Sequence, residues 1–360
     1  MRYKELGKTR MKVSLLGFGA IKLPQISFKE ADSTLNRALD LGINFIDTAR
    51  NYGDSERKIG YALKRRKNEF YIATKTTARD ALGARKDLEI SLKELGREKI
   101  DLYQLHTVSD KETYNKVMGK GGALEYLKKA KKEGKISHIG ISIHRDLKVM
   151  EKAITCGEFE SIMLSYNPLD QENVGSKILP LAKKFNLGVI IMKPLSGGQL
   201  CGIVSPQQGY DPVVRVSLRF ILSNENISTV IPGMKSVKEV EENVTTAKIK
   251  ERLSEKELKW FFKTVGGRKY RYGQVCLRCG YCLPCRQEIN IPEVFRALDI
   301  FREYPEELKY IGVEMYESLK VKPDECVECG ECEEKCTAGL PIREMLKETR
   351  RAYQAIVRGD

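Results

Sequence analysis

Between residues 13 and 232 short β-branched runs alternate with longer amphipathic stretches, and this rhythm restricts the fold more than any other feature of the chain. The runs are VSLLGFG (13–19), INFID (43–47), FYIAT (70–74), IDLYQLH (100–106), ISHIGIS (136–142), SIMLSY (161–166), GVIIMK (188–193) and STVIP (228–232). Between them lie helix-like segments such as FKEADSTLNRALDLG and ALGARKDLEISLKELG, closed by the glycine that a helix C-terminus prefers. Runs that are apolar throughout are buried on both faces, as parallel strands between right-handed crossovers are. Eight such units predict an α/β architecture in which a closed (β/α)8 barrel occupies residues 1–265. The rival, an open doubly wound sheet, opens with G-x-G-x-x-G, and LLGFGAIKLP lacks the third glycine. RYKELGKTRMKVS, ahead of the first strand, reads as a hairpin that plugs the barrel floor.

A TIM barrel carries its chemistry at the carboxyl ends of its strands. There the second strand delivers Asp47 with Tyr52 just beyond, the third Lys75 and the fourth His106. A tyrosine with a pKa near ~10 is a poor acid at neutral pH unless a neighbouring ammonium stabilises its phenolate. Lys75 supplies that charge, Asp47 keeps Lys75 protonated, His106 orients a carbonyl oxygen, and Tyr52 becomes the general acid. Taken singly, Asp47 also reads as a cap, Tyr52 as packing, Lys75 as a surface cation and His106 as a core histidine. Three successive strands ending in complementary chemistry favour the joint reading. His138 and His144 read as structural.

FIDTARNYGDSE (45–56), FYIATKT (70–76) and LYQLHTV (102–108) resemble the signature segments of the aldo-keto reductases, over roughly residues 1–250. The resemblance implies NAD(P)H-dependent interconversion of a carbonyl and an alcohol, with Asp47, Tyr52, Lys75 and His106 as the catalytic tetrad. It also implies that Ser142 touches the nicotinamide carboxamide; the place of the usual glutamine near the end of the sixth strand falls at Met163, with Asn167 close by. Met192 stands where an aromatic ring usually stacks on the nicotinamide, and Lys193, Pro194 and Leu195 follow it along the cofactor. VIPGMKSVKEVEEN (230–243) is similar to the adenosine clamp, which brings in Gly233, Lys235, Glu239, Glu242 and Asn243. Glu239 occupies the place of a frequent 2′-phosphate arginine and Lys235 could substitute, so NADP and NAD both stand.

Eight of the ten cysteines fall in two runs, C-x2-C-x2-C-x2-C at Cys276, Cys279, Cys282 and Cys285, and C-x2-C-x2-C-x3-C at Cys326, Cys329, Cys332 and Cys336. No stretch reaches the ~20 apolar residues of a membrane span, and the start of the chain has no signal-peptide pattern. A cytoplasmic setting is expected, where clustered thiols favour metal over disulfides. Three thiolates at two-residue gaps wrap three corners of a 4Fe-4S cube and leave the fourth to a distant cysteine. Crossed ligation follows, with Cys276, Cys279 and Cys282 joined by Cys336, and Cys326, Cys329 and Cys332 joined by Cys285. The pairing resembles that of two-cluster ferredoxins, with two departures. Arg286 and Thr337 stand where proline is frequent, and the first run is one residue short before its fourth cysteine. A pair of zinc sites, each with four cysteine ligands, is the alternative. Residues 266–360, helix-like around the runs, are expected to form a small, mainly helical ferredoxin-like domain behind the basic linker VGGRKYRYGQ (265–274).

The net charge of +14 is spread among 49 acidic residues, so a solvated surface rather than nucleic-acid binding is expected. Hydride transfer moves two electrons and a cluster accepts one, and no flavin motif mediates between them. The leading reading is a carbonyl reductase or alcohol dehydrogenase acting on a small substrate, whose clusters brace the C-terminal domain or serve a redox protein partner. The alternative is a cluster-bearing electron carrier or sensor whose barrel binds NAD(P)H without turnover. The 197–212 stretch and the cysteine domain are both expected to shape substrate choice.

Overall fold

The computed structural model describes residues 1–144, 146–198, 200–201, 211–265, 276, 278, 280–303, 306, 309–336 and 338–358. Most of the 197–212 loop and of the linker, together with Cys279 and Thr337, lies outside the described residues. The chain divides into two compact units, Met1–Gly266 and Gly267–Asp360.

In the first unit β1 (Tyr3–Glu5) and β2 (Lys12–Ser14) form an antiparallel hairpin. Then come β3 (Phe18–Gly19), β4 (Phe45–Asp47), β5 (Tyr71–Thr76), β6 (Ile100–Leu105), β7 (Ile136–Ile143), β8 (Ser161–Ser165), β9 (Gly188–Met192) and β10 (Thr229–Val230). These eight pair in parallel, in sequence order. The ring closes where the Gly17 N–H donates to Val230 O at 2.8 Å, Val230 N–H to Leu15 O at 2.9 Å, and Gly19 N–H to Pro232 O at 3.0 Å. Only glycine fits at 19, because a Cβ there would sit 2.7 Å from Ile231 O. The molecule is a (β/α)8 barrel with a small C-terminal helical unit.

The expected first strand divides in two. Lys12–Ser14 belongs to the hairpin and only Phe18–Gly19 to the ring, because Val13 is spent on the floor. Leu6, Met11 and Val13 of the hairpin pack against Phe45, Ala73, Leu102, Met163 and Ile190 from five strands and against Ile231 just past β10. Gly7 (φ 52) lets the hairpin turn touch the barrel wall, where a Cβ would lie 2.1 Å from Gly188 N. The surrounding helices carry their own boundary signals. Phe28–Asp40 opens with a Ser27/Glu30 capping box, and Ala81–Leu95 stops at left-handed Gly96.

The second unit is built on Ile291–Glu303, Tyr310–Glu317 and Ile342–Arg358. Its core gathers Ile289, Ile291, Val294, Phe295, Leu298, Leu340, Ile342 and Leu346 around the buried thiols of Cys276 and Cys282. No described helix is long and apolar enough to cross a membrane.

Candidate active site and cysteine cavities

Strand side chains alternate in direction, so a residue two positions beyond a floor residue faces the same interior one layer higher. From Phe45 that step leads to Asp47, from Ala73 to Lys75, from Leu102 to Gln104, from Met163 to Ser165 and from Ile190 to Met192. A further step leads to His106 and Asn167. The apolar plug thus seats a polar layer at the mouth.

Asp47, Lys75 and His106 are at most 2 % exposed. Lys75 Nζ donates to Asp47 Oδ1 at 2.5 Å and to Thr48 O at 2.7 Å. Gln104 Nε2 donates to Asp47 Oδ2 at 3.2 Å. The ammonium lies 5.0 Å from the centre of the Tyr52 ring, whose edge meets the His106 ring at 5.7 Å between centroids. Burial alone would push Lys75 down, but the Asp47 carboxylate and the Tyr52 hydroxyl outweigh it and raise its pKa. His106 is held well below its ordinary value by burial and then by Lys75, Arg79 and Lys193, so the imidazole is neutral at pH 7. All four tetrad residues named from the sequence therefore converge.

Three further residues belong to this mouth. His144, expected to be structural, is buried there with its ring 6.2 Å from His106 and Nδ1 3.0 Å from Lys193 Nζ. It follows Ser142 by two positions, and that same-face spacing is the signal that could have found it. Gln104 braces Asp47 by the same logic. Arg79 donates to His106 O at 2.7 Å and Thr107 O at 3.1 Å, holding Thr107 at φ 55. Its loop position carries no comparable pattern. His138, by contrast, is half-buried on Glu160 at 2.7 Å, away from the mouth.

The Ser142 hydroxyl accepts from the Thr107 N–H at 2.9 Å, and Asn167 Oδ1 accepts from the Leu169 N–H at 3.0 Å. Asn167 Nδ2 is buried with no hydrogen-bond partner among the described residues. A nicotinamide carboxamide oxygen would satisfy it, so this end of the mouth fits the nucleotide. Met192 and Pro194 are buried, and half-buried Leu195 packs toward Val213 and Phe261. The remaining residues run from the segment before the helix Val237–Lys248 to its middle. Gly233 bridges to Gly19, and a Cβ there would lie 3.1 Å from the Ile21 side chain. Lys235 is exposed, Glu239 accepts from the Lys235 N–H at 2.7 Å and lies 3.8 Å from Lys22, Glu242 is half-buried, and Asn243 is buried.

In the second unit one cavity is lined by Cys276, Cys282 and Cys336 with Phe295 and Ile342. Another is lined by Cys285, Cys326, Cys329 and Cys332, and by Cys282 as well. Each draws on both runs. Among the described residues no three such side chains lie close enough to hold a single ion. Thiolate sulfur is the donor that iron-sulfur clusters take, and each cavity offers at least three cysteines.

The family profile described as Aldo/keto reductase family matches residues 15–205, more than half of the chain. The chain belongs to the aldo/keto reductase family. A second profile, 4Fe-4S dicluster domain, matches residues 275–341 behind that aldo/keto reductase barrel. L-galactose dehydrogenase of Arabidopsis thaliana is 28% identical over 279 residues, covering 67% of this chain and 86% of that protein. Aldo-keto reductase str7 of Strobilurus tenacellus is 28% identical over 301 residues, covering 68% and 87%. The holo form of an aldo-keto reductase from Bacillus halodurans superposes with a TM-score of 0.62 at 25% identity, over 75% of this chain and 98% of that one.

Proposed function

We propose that the barrel interconverts a small carbonyl compound and its alcohol with NAD(P)H, Tyr52 serving as general acid and base. The observation that carries this reading is the buried Asp47–Lys75 ion pair with its ammonium 5.0 Å from the Tyr52 ring centre. When bound, the reduced nicotinamide supplies the hydride that the carbonyl carbon receives. Tyr52 releases its proton to the carbonyl oxygen, and the Lys75 ammonium stabilises the phenolate left behind. Asp47, fixed by Gln104, keeps Lys75 charged and in place. Neutral His106 offers an N–H to the same oxygen and steers its lone pair toward Tyr52. In the oxidative direction the Tyr52 phenolate takes the alcohol proton. Ser142 and Asn167 orient the carboxamide, Met192 packs on the ring, and Lys193, Pro194, Leu195, Gly233, Lys235, Glu239, Glu242 and Asn243 line the rest of the nucleotide.

For the second unit we assign Cys276, Cys279, Cys282 and Cys336 to one 4Fe-4S cluster and Cys285, Cys326, Cys329 and Cys332 to another. The two cavities lined from both runs support this crossed set. The clusters brace the unit or pass single electrons to a redox protein, and hydride transfer in the barrel proceeds without them.

The test uses anaerobically purified, iron-loaded full-length protein, with NADPH and NADH compared over a panel of aldehydes and ketones. Tyr52→Phe should lower the turnover number by about 10²–10⁴ while nucleotide binding persists. An unchanged rate in that variant defeats the assignment of Tyr52. Nucleotide binding with no turnover by the unaltered protein would favour an electron carrier or sensor instead.

A further inference from the structure

The floor end of the barrel, opposite the proposed chemistry, holds a cavity of about 490 Å³. This lies within the size range of small-molecule sites. Its walls come from the start of the hairpin, the segment that leads into β10, and the turn after the helix Val237–Lys248. Arg2, Lys4, Arg219, Lys250 and Arg252 line it, against Glu225 and Glu251.

The cations are unevenly committed. Arg219 is ion-paired with Glu257 and donates to the carbonyls of Glu251 and Arg252 at 3.2 and 3.4 Å, which shapes the wall. Lys4 donates to the carbonyls of Glu225 and Ile227, so its charge meets dipoles rather than a bonded carboxylate. Burial, and then the charge of Lys183, lower the Lys4 pKa against the pull of Glu225. Arg2, Lys250 and Arg252 have no ion pair among the described residues, and Arg2 Nε is buried there without a hydrogen-bond partner. Even with Glu257 counted, five cations face three carboxylates. A cleft with apolar walls such as Leu15, Leu222 and Ile227 focuses this surplus.

We propose that this floor cavity binds a small polyanion, bearing phosphate or carboxylate groups, held by Arg2, Lys250 and Arg252 with Lys4 at its base. The ligand would be distinct from nucleotide and substrate, since the strand ends that carry Asp47, Lys75 and His106 are at the other end of the barrel. Guanidinium groups pair with either anion in a two-pronged fashion.

Titration calorimetry on the full-length holoprotein, in excess NADP⁺ and at matched ionic strength, tests this with tripolyphosphate in one arm and citrate in the other. At least one should bind with one site per chain, and the stronger arm identifies the anion. The double variant Arg2→Gln/Arg252→Gln should weaken that binding by about tenfold or more. Should the double variant fold poorly, Lys250→Gln at an exposed position should weaken it several-fold. Binding of neither probe, or undiminished binding in folded variants, overturns the proposal.

Discussion

The two units solve the same problem, a stable interior, with different materials. The barrel closes its ladder on itself and fills its floor with apolar side chains, so its polar mouth rests on a core built from the chain alone. The C-terminal unit places cysteine thiols among its core residues, and cysteines from both runs line its cavities. A domain of this size has little core to spare. The comparison teaches that the barrel's polar mouth is set by the polypeptide alone, whereas the second unit's interior, with the clusters proposed above, would be completed by what its thiols hold.

The sharpest way to break that comparison is Cys282→Ser. The proposed clusters predict loss of about half of roughly eight irons per chain, with exposure of Gly267–Asp360 to limited proteolysis while the barrel stays resistant. Iron content unchanged from the parent would show that this thiol is no ligand. In the barrel the corresponding blow is Leu6→Ala, which empties a fully buried position under the strands. It should cost about 2–5 kcal/mol in barrel unfolding by urea and leave iron content alone. A cost near zero would mean that the hairpin is an ornament rather than a plug.

Acid should separate the units more gently. His106 is buried neutral with its pKa held well below the ordinary value, while in the unfolded chain it takes up a proton near pH ~6.5. The unfolded state therefore binds more protons, and the contribution is present above that pH and lost progressively as pH falls below it toward the depressed folded value. The slope is at most about 1.4 kcal/mol per pH unit from this group. All three histidines lie in the barrel, so the barrel transition should carry this dependence and the C-terminal one should not. His106→Asn should flatten it, measured as barrel stability against pH from 7 to 5. Smallest of all, Arg37→Ala and Arg302→Ala each remove a half-exposed ion pair, with Glu241 and Glu348 respectively. Each should change the stability of its own unit by about 0–1 kcal/mol. A larger loss at either position would point to packing by the arginine stem.

Much of this was legible along the chain. The strands from β4 to β9 fall inside or within two residues of their apolar runs, because a strand buried on both faces must be apolar throughout. The first strand was misjudged in part, since Val13 is as apolar under the barrel as it would be within the ring. Gln104 and His144 escaped because their partners Asp47 and Lys193 lie 57 and 49 residues away. The surplus charge at the floor was equally hidden, as Arg2 and Arg252 sit at opposite ends of the barrel sequence.

Residue order by itself determined the eight-unit alternation, the polar endings of successive strands and the spacing of the thiols, since these depend on local periodicity. Only the tertiary structure decided the meetings that no local pattern foretold: that Val13 leaves the ring for the floor, that Lys75 also donates to the Thr48 carbonyl, and that His144 faces Lys193 across the mouth. The physical reason is that ring closure and core packing select partners by distance in space, which a linear pattern does not encode.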